Sequence, residues 1–282
     1  MNFKYINSKG EIIDMCEYPY LLQSGDLLDY SWSYEKGNKC IKNVCHDVGE
    51  RSFKIAIIPD LSLPYEEKIE AKKKAAQRLF NVIEYDVVNN ADGRIETDTG
   101  SYLPCRIMAS SKSDWENPTS YMFYDLTAVC GKNTWITEMK KSFYPSSEAK
   151  LDSGMLDYPY DYEYDYASKI TGKDMLNIDH ISSSSFKLTI FGACLNPCIY
   201  INNHKYCVYT SLEKDEYLVI DARTNTIIKY SSDGTRENIY DLRGKEQSVF
   251  EAIPAGDIPV IWDGSFGFDI TLYLERSEPI WS

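Results

Sequence analysis

The chain has 282 residues and a mass of 32.4 kDa, enough for two domains at about 150 residues each. Its 30 Lys plus Arg face 43 Asp plus Glu, for a net charge of -13, a pI near 4.8 and a mean hydropathy of -0.40. That balance argues against broad nucleic-acid binding, which draws on clustered Lys and Arg, and no run of about 18 apolar residues is present to cross a bilayer as a helix.

Phe3, Tyr5 and Ile6, then Asn7-Ser8-Lys9-Gly10, then Ile12 and Ile13 read as a hairpin with a four-residue connection. Ser52 to Ile58 is a β-prone run stopped by Pro59-Asp60. Its few charges suit edge pairing between subunits. The spacing predicts one helix over 64–88, with Pro64 in its first turn and Glu66, Glu67 and Glu70 near its N-terminal end. Apolar Ile69, Ala76, Leu79, Phe80 and Ile83 form the face expected to dock on a sheet. Lys72, Lys73 and Lys74 are expected on a solvated face, with Glu70 and Lys74 as an i,i+4 pair.

Strands return at Gly100–Met108, Thr119–Val129 and Trp135–Thr137, an α+β order without βαβ succession. Residues 1–150 are thus expected to form one β-rich domain with the helix. Residues 151–185 form a connector in which Tyr158, Tyr160, Tyr162, Tyr164 and Tyr166 alternate with Pro159, Asp161, Glu163 and Asp165. Period two puts the tyrosines on one side of an extended chain, as candidates for interdomain or subunit contact. Residues 186–282 carry short strands with turn signals, including a hairpin at Asn202-Asn203, and are expected to form a β-sandwich without helices. The fold class expected is mainly β.

The start of the chain, Met1 to Lys9, lacks the apolar core of a signal peptide, so a cytosol-made chain with reduced, mostly buried thiols is expected for the eight cysteines. Only His46, His180 and His204 are available, and nucleophile-elbow, P-loop, dinucleotide-binding and His-Glu-x-x-His motifs are all missing. Cys194, Cys198, His204 and Cys207 have the ligand types of tetrahedral zinc, but hairpin register decides whether they converge, and structural thiols are the preferred assignment. Cys40, Cys45 and His46 offer three ligands with no obvious fourth. No metal, cofactor or catalytic residue is therefore assigned. Asp161, Glu163 and Asp165 have the spacing for a glycoside hydrolase acid pair, about 7 Å between i and i+2, but not the burial that acid catalysis needs. Trp262 is a candidate for stacking on a glycan, as in a carbohydrate-binding module, with a core position as the plainer assignment.

Arg78 to Asp86, Gly93-Arg94-Ile95, Tyr102-Leu103-Pro104-Cys105 and Ser111 to Trp115 resemble the first domain of distal tail (Dit-like) proteins of phages and prophages of Gram-positive hosts. Tyr158 to Tyr166 looks like that family's interdomain stretch. Gly192 to Pro197, Glu216 to Asp221, Ile253 to Gly256, Trp262, Gly264 to Asp269 and Glu275 to Trp281 resemble its second domain. Residues 1–50, with Cys40, Cys45 and His46, depart from the pattern. The resemblance implies a non-enzymatic virion protein of the tail tip or baseplate, present in the host cytoplasm before assembly. It implies a homohexameric ring of N-terminal domains and a galectin-like C-terminal sandwich. The partners implied are the tail tube protein and the tail-associated hub protein, with tape-measure and receptor-binding proteins as further ones.

Overall fold

The computed structural model describes residues 1–58, 60, 62–117, 120–146 and 172–281. The chain divides into two compact units, Met1–Thr137 with Glu275–Ser282, and Glu138–Leu274. The division precedes position 150, and the terminal residues return to the first unit instead of closing the second.

In the first unit β1 (Phe3–Ile6) and β2 (Ile12–Asp14) are followed by β3 (Tyr20–Gly25), β4 (Ser33–Lys36), β5 (Ile41–Cys45) and β6 (Gly49–Ile57). Helix α1 (Tyr65–Val88) precedes β7 (Gly93–Thr97), β8 (Ser101–Ser113), β9 (Met122–Cys130) and the start of β10 (Trp135–Phe143). The antiparallel order is β2-β1-β7-β8-β9-β6-β3. β8 serves three partners: residues up to Cys105 pair with β7, Ser101 and Tyr102 also pair with the start of β10, and residues from Arg106 pair with β9, with a register shift between Ile107 and Ala109. Such a shift bends a strand, and burial alternates up to Ile107 and stops beyond it.

The first hairpin closes as expected. Gly10 N–H donates to Asn7 O at 2.9 Å and Asn7 N–H to Glu11 O at 3.0 Å, with Gly10 at φ 91°, where a side chain would be strained. The run at Phe53 behaves differently from the expectation. β6 pairs with β3 on one side and β9 on the other, so it is a central strand with no free edge for a neighbouring subunit.

Helix α1 forms where expected, and the Glu70–Lys74 pair is present at 2.7 Å. Its buried stripe is rotated from the apolar face. Lys72, Ala75, Leu79, Val82 and Asp86 are buried at alternating steps of three and four, whereas Phe80 is exposed. Two polar residues can complete the stripe because each is satisfied there. Lys72 Nζ donates to Asn117 O at 2.8 Å and Ser120 O at 3.0 Å. Asp86 accepts from Ser8 N–H at 2.7 Å, Ser8 Oγ at 2.6 Å and the Tyr5 hydroxyl. Lys72 is therefore not on the solvated face. Ala75, Leu79 and Val82 join Phe3, Tyr5, Phe53, Ile55, Leu103 and Leu126 in one core.

The second unit contains β11 (Gly172–Ile178), β12 (Ser185–Phe191), β13 (Cys194–Leu195), β14 (Cys198–Ile201), β15 (His204–Cys207) and β16 (Ser211–Leu212). β17 (Tyr217–Asp221), β18 (Thr226–Tyr230), β19 (Arg236–Asn238), β20 (Gly256–Trp262) and β21 (Phe268–Arg276) complete it, with a 3-10 turn at Tyr240–Leu242. One sheet runs β19-β18-β17-β12-β21 and the other β11-β20-β14-β15. Leu188, Leu218 and Ile270 of the first share a core with Leu176, Ile199 and Val260 of the second, which makes this unit a two-layer β-sandwich. Strand β11 belongs to it, so part of the expected connector is sandwich. The Asn202-Asn203 hairpin forms as its turn chemistry requires, with both residues at positive φ (50° and 63°) and Ile201 opposite His204. The whole is mainly β, as expected.

Candidate functional site

The four zinc-type residues do not converge. Cys198 and Cys207 lie directly opposite each other in the β14–β15 register, Cα atoms 4.2 Å apart, and are joined as a disulfide. Register brings the two sulfurs together, and a disulfide sulfur is not the thiolate that zinc binds. His204 Nε2 instead sits 2.7 Å from Ser248 O, and burial pushes the Cys194 thiol up to about 11. Among the described residues no group of three or more His, Cys, Asp or Glu side chains could hold a metal ion. Cys40 and Cys45 are exposed on the β4–β5 hairpin, and the His46 ring lies against Trp32 with centroids 3.8 Å apart and the planes tilted by 38°. Burial lowers the His46 pKa.

Trp262 is 5% exposed, packed edge-on against Phe143 and Phe268 at 5.8 and 5.2 Å, and its Nε1–H donates to Phe266 O at 3.0 Å. Neither face is offered to a sugar, so the glycan candidate is a core residue. Gly172 lies opposite it across β11–β20, where a Cβ would come within 2.3 Å of the indole. Gly172→Ala is expected to destabilise the second unit by about 1–3 kcal/mol through overpacking, read as a lower denaturant midpoint. The tyrosines Tyr158, Tyr160, Tyr162, Tyr164 and Tyr166 lie outside the described residues, as do Asp161, Glu163 and Asp165.

The buried polar groups serve packing. Burial, followed by the Asp86 contact, holds the Tyr5 hydroxyl far above its usual value, and a bond to Cys130 raises the Cys105 thiol inside the same core. Asp86, Tyr5 and Cys105 are all buried away from solvent, where they cannot meet a substrate.

Two features that composition did not reveal stand out on the surface of the first unit. The β4–β5 hairpin, paired only with itself among the described residues, exposes Trp32, Tyr34, Ile41 and Val44. The alternation of Tyr30, Trp32 and Tyr34 is the signal that marks it in the sequence. A groove of about 690 Å³ also runs beside α1, bounded by Phe80, Trp115, Met122 and Tyr124 and by three lysines. Exposed aromatic side chains grouped in this way are characteristic of interaction surfaces and ligand grooves in general.

No family model and no curated protein matches the chain. Several solved structures match it, among them three that do so along nearly its whole length. One is the SPP1 Dit (gp 19.1) protein, described as a paradigm of the hub adsorption apparatus in Gram-positive infecting phages, with TM-score 0.59 and 8% identity over 97% of this chain and 99% of that one. Another is the phage P2 baseplate in its activated conformation with Ca, with TM-score 0.59 and 11% identity over 99% of both chains. The third is the phage p2 baseplate with Sr, at TM-score 0.57 and 13% identity over 99% of both. From the first unit through the second, the chain has the fold of these phage hub and baseplate proteins.

Proposed function

We propose that the chain is a structural subunit of a phage tail tip, a distal tail adaptor whose copies form a ring between the tail tube and the tail-tip proteins. The observation that carries this reading is coverage: the likeness takes in 97–99% of this chain and 99% of each neighbour. A shared β-sandwich alone would leave half of each chain unmatched. The SPP1 protein is described as part of an adsorption hub and the p2 chains as baseplate. The sequence resemblance supports the same role and implies six copies, with the tail tube and tail-associated hub proteins as neighbours. A scaffold of this kind works by repetition of contacts around an axis and needs no reacting centre.

Native mass spectrometry of the purified full-length chain at high micromolar concentration tests the reading. A closed oligomer, six copies in this account, is the expected mass. A monomer at every concentration, with no larger species on addition of tail proteins, counts against it.

A further inference from the structure

The groove beside α1 has a net positive lining. Lys72, Lys73 and Lys112 line it against the single acid Glu116, in a chain of net charge -13. Lys72 is spent on structure: its bonds to Asn117 O and Ser120 O tie down the loop that carries Trp115. Lys73 has no ion-pair partner among the described residues, and Lys112 Nζ lies 5.1 Å from the Tyr124 ring centroid. Trp115 is 62% and Phe80 47% exposed, and Phe80 and Tyr124 also border a smaller apolar hollow of about 230 Å³ with Ile83 and Met108. The surface is thus long, aromatic and cationic.

We infer that this groove receives the acidic tyrosine-rich segment, residues 156–166, of a second copy of the chain. Two complementarities support that occupant. The segment holds Asp157, Asp161, Glu163 and Asp165 with no base, against the lysines of the groove. It also holds five tyrosines, whose rings match Phe80 and Trp115 by stacking and the lysines by cation–π contact. The aromatic contacts supply most of the affinity, because exposed ion pairs contribute about 0–1 kcal/mol each. Groove and segment are different surfaces of one chain, so their pairing is head-to-tail, the geometry that closes into rings. The inference rests on the ring reading.

Zero-length carbodiimide cross-linking of a mixture of ¹⁵N-labelled and unlabelled full-length protein tests it. Peptides joining Lys73 or Lys112 to Asp157, Asp161, Glu163 or Asp165 are expected, with both labels in one product. Products of a single label only, or none, overturn the inference. Phe80→Glu with Lys73→Glu is expected to cut the mixed-label yield by about tenfold or more with an unchanged circular dichroism spectrum, since Phe80 and Lys73 are exposed; an unchanged yield overturns it as well. Native mass spectrometry of the same sample separates the two readings. A ring without mixed-label products overturns the docking alone, and a monomer overturns both.

Discussion

Trp262→Ala is expected to lower the stability of the second unit by about 3–5 kcal/mol, the range for removing a buried aromatic. Trp262 supports the sandwich from the middle of one sheet: Phe143 and Phe268 meet its edges, Gly172 lies under its face, and its indole N–H is satisfied by Phe266 O. Truncation opens a cavity that these neighbours cannot close without leaving their own contacts. The measurement is urea unfolding with hydrogen exchange followed separately in β6 of the first unit and β20 of the second, because a two-unit chain need not unfold in one step. Trp262→Phe is expected to recover part of the loss. A Trp262→Ala protein of native stability that has lost binding to a glycan would instead restore the carbohydrate-binding assignment.

Asp86→Ala is expected to destabilise the first unit by about 3 kcal/mol. The carboxylate is fully buried and accepts three hydrogen bonds, from Ser8 N–H, Ser8 Oγ and Tyr5 Oη, which tie the C-terminal turn of α1 to the β1–β2 turn. Charged acceptors are worth about 1.5–3 kcal/mol per bond, and the Tyr5 hydroxyl would remain buried without a partner. Room for the contact depends on Gly93, where a Cβ would lie 2.3 Å from Asp86 Oδ2 and 2.6 Å from Tyr5 Oη. Asp86→Asn should lose less, since one carbonyl oxygen remains, and chemical denaturation of the two variants side by side checks the order. A loss below about 1 kcal/mol for Asp86→Ala would contradict the anchoring role.

The same contact carries a pH dependence. Burial and Asp86 raise the folded Tyr5 pKa above its ordinary value near 10. A raised folded pKa means that stability is fully present below the unfolded value and falls as pH rises beyond it, because the unfolded chain releases a proton that the folded chain keeps. First-unit stability is therefore expected to decline above about pH 10, and Tyr5→Phe should flatten that decline. An equal alkaline slope in Tyr5→Phe would place the titration on other groups.

Local chemistry was legible in the sequence where it alone decides the structure. Asn202-Asn203 and Asn7 to Gly10 form their turns because few other residues accept those backbone angles. Helix α1 is visible as periodicity. Its facing was not, because an apolar count assigns Phe80 inward and cannot foresee that Lys72 and Asp86 will find buried partners contributed by distant loops. Register across strands was equally hidden. It makes β6 a central strand and pairs Cys198 with Cys207, and each outcome depends on which strand lies alongside. The groove beside α1 is a third case, since Phe80 and Trp115 are separated in sequence and meet only once the loop after β8 folds back on the helix.

The most direct measurement is cryo-electron microscopy of phage particles assembled with this chain. The account expects a ring of copies at the distal end of the tail, their first units in lateral contact around the axis. Particles that lack the chain, or that hold it as an isolated single copy away from the tail tip, would contradict it.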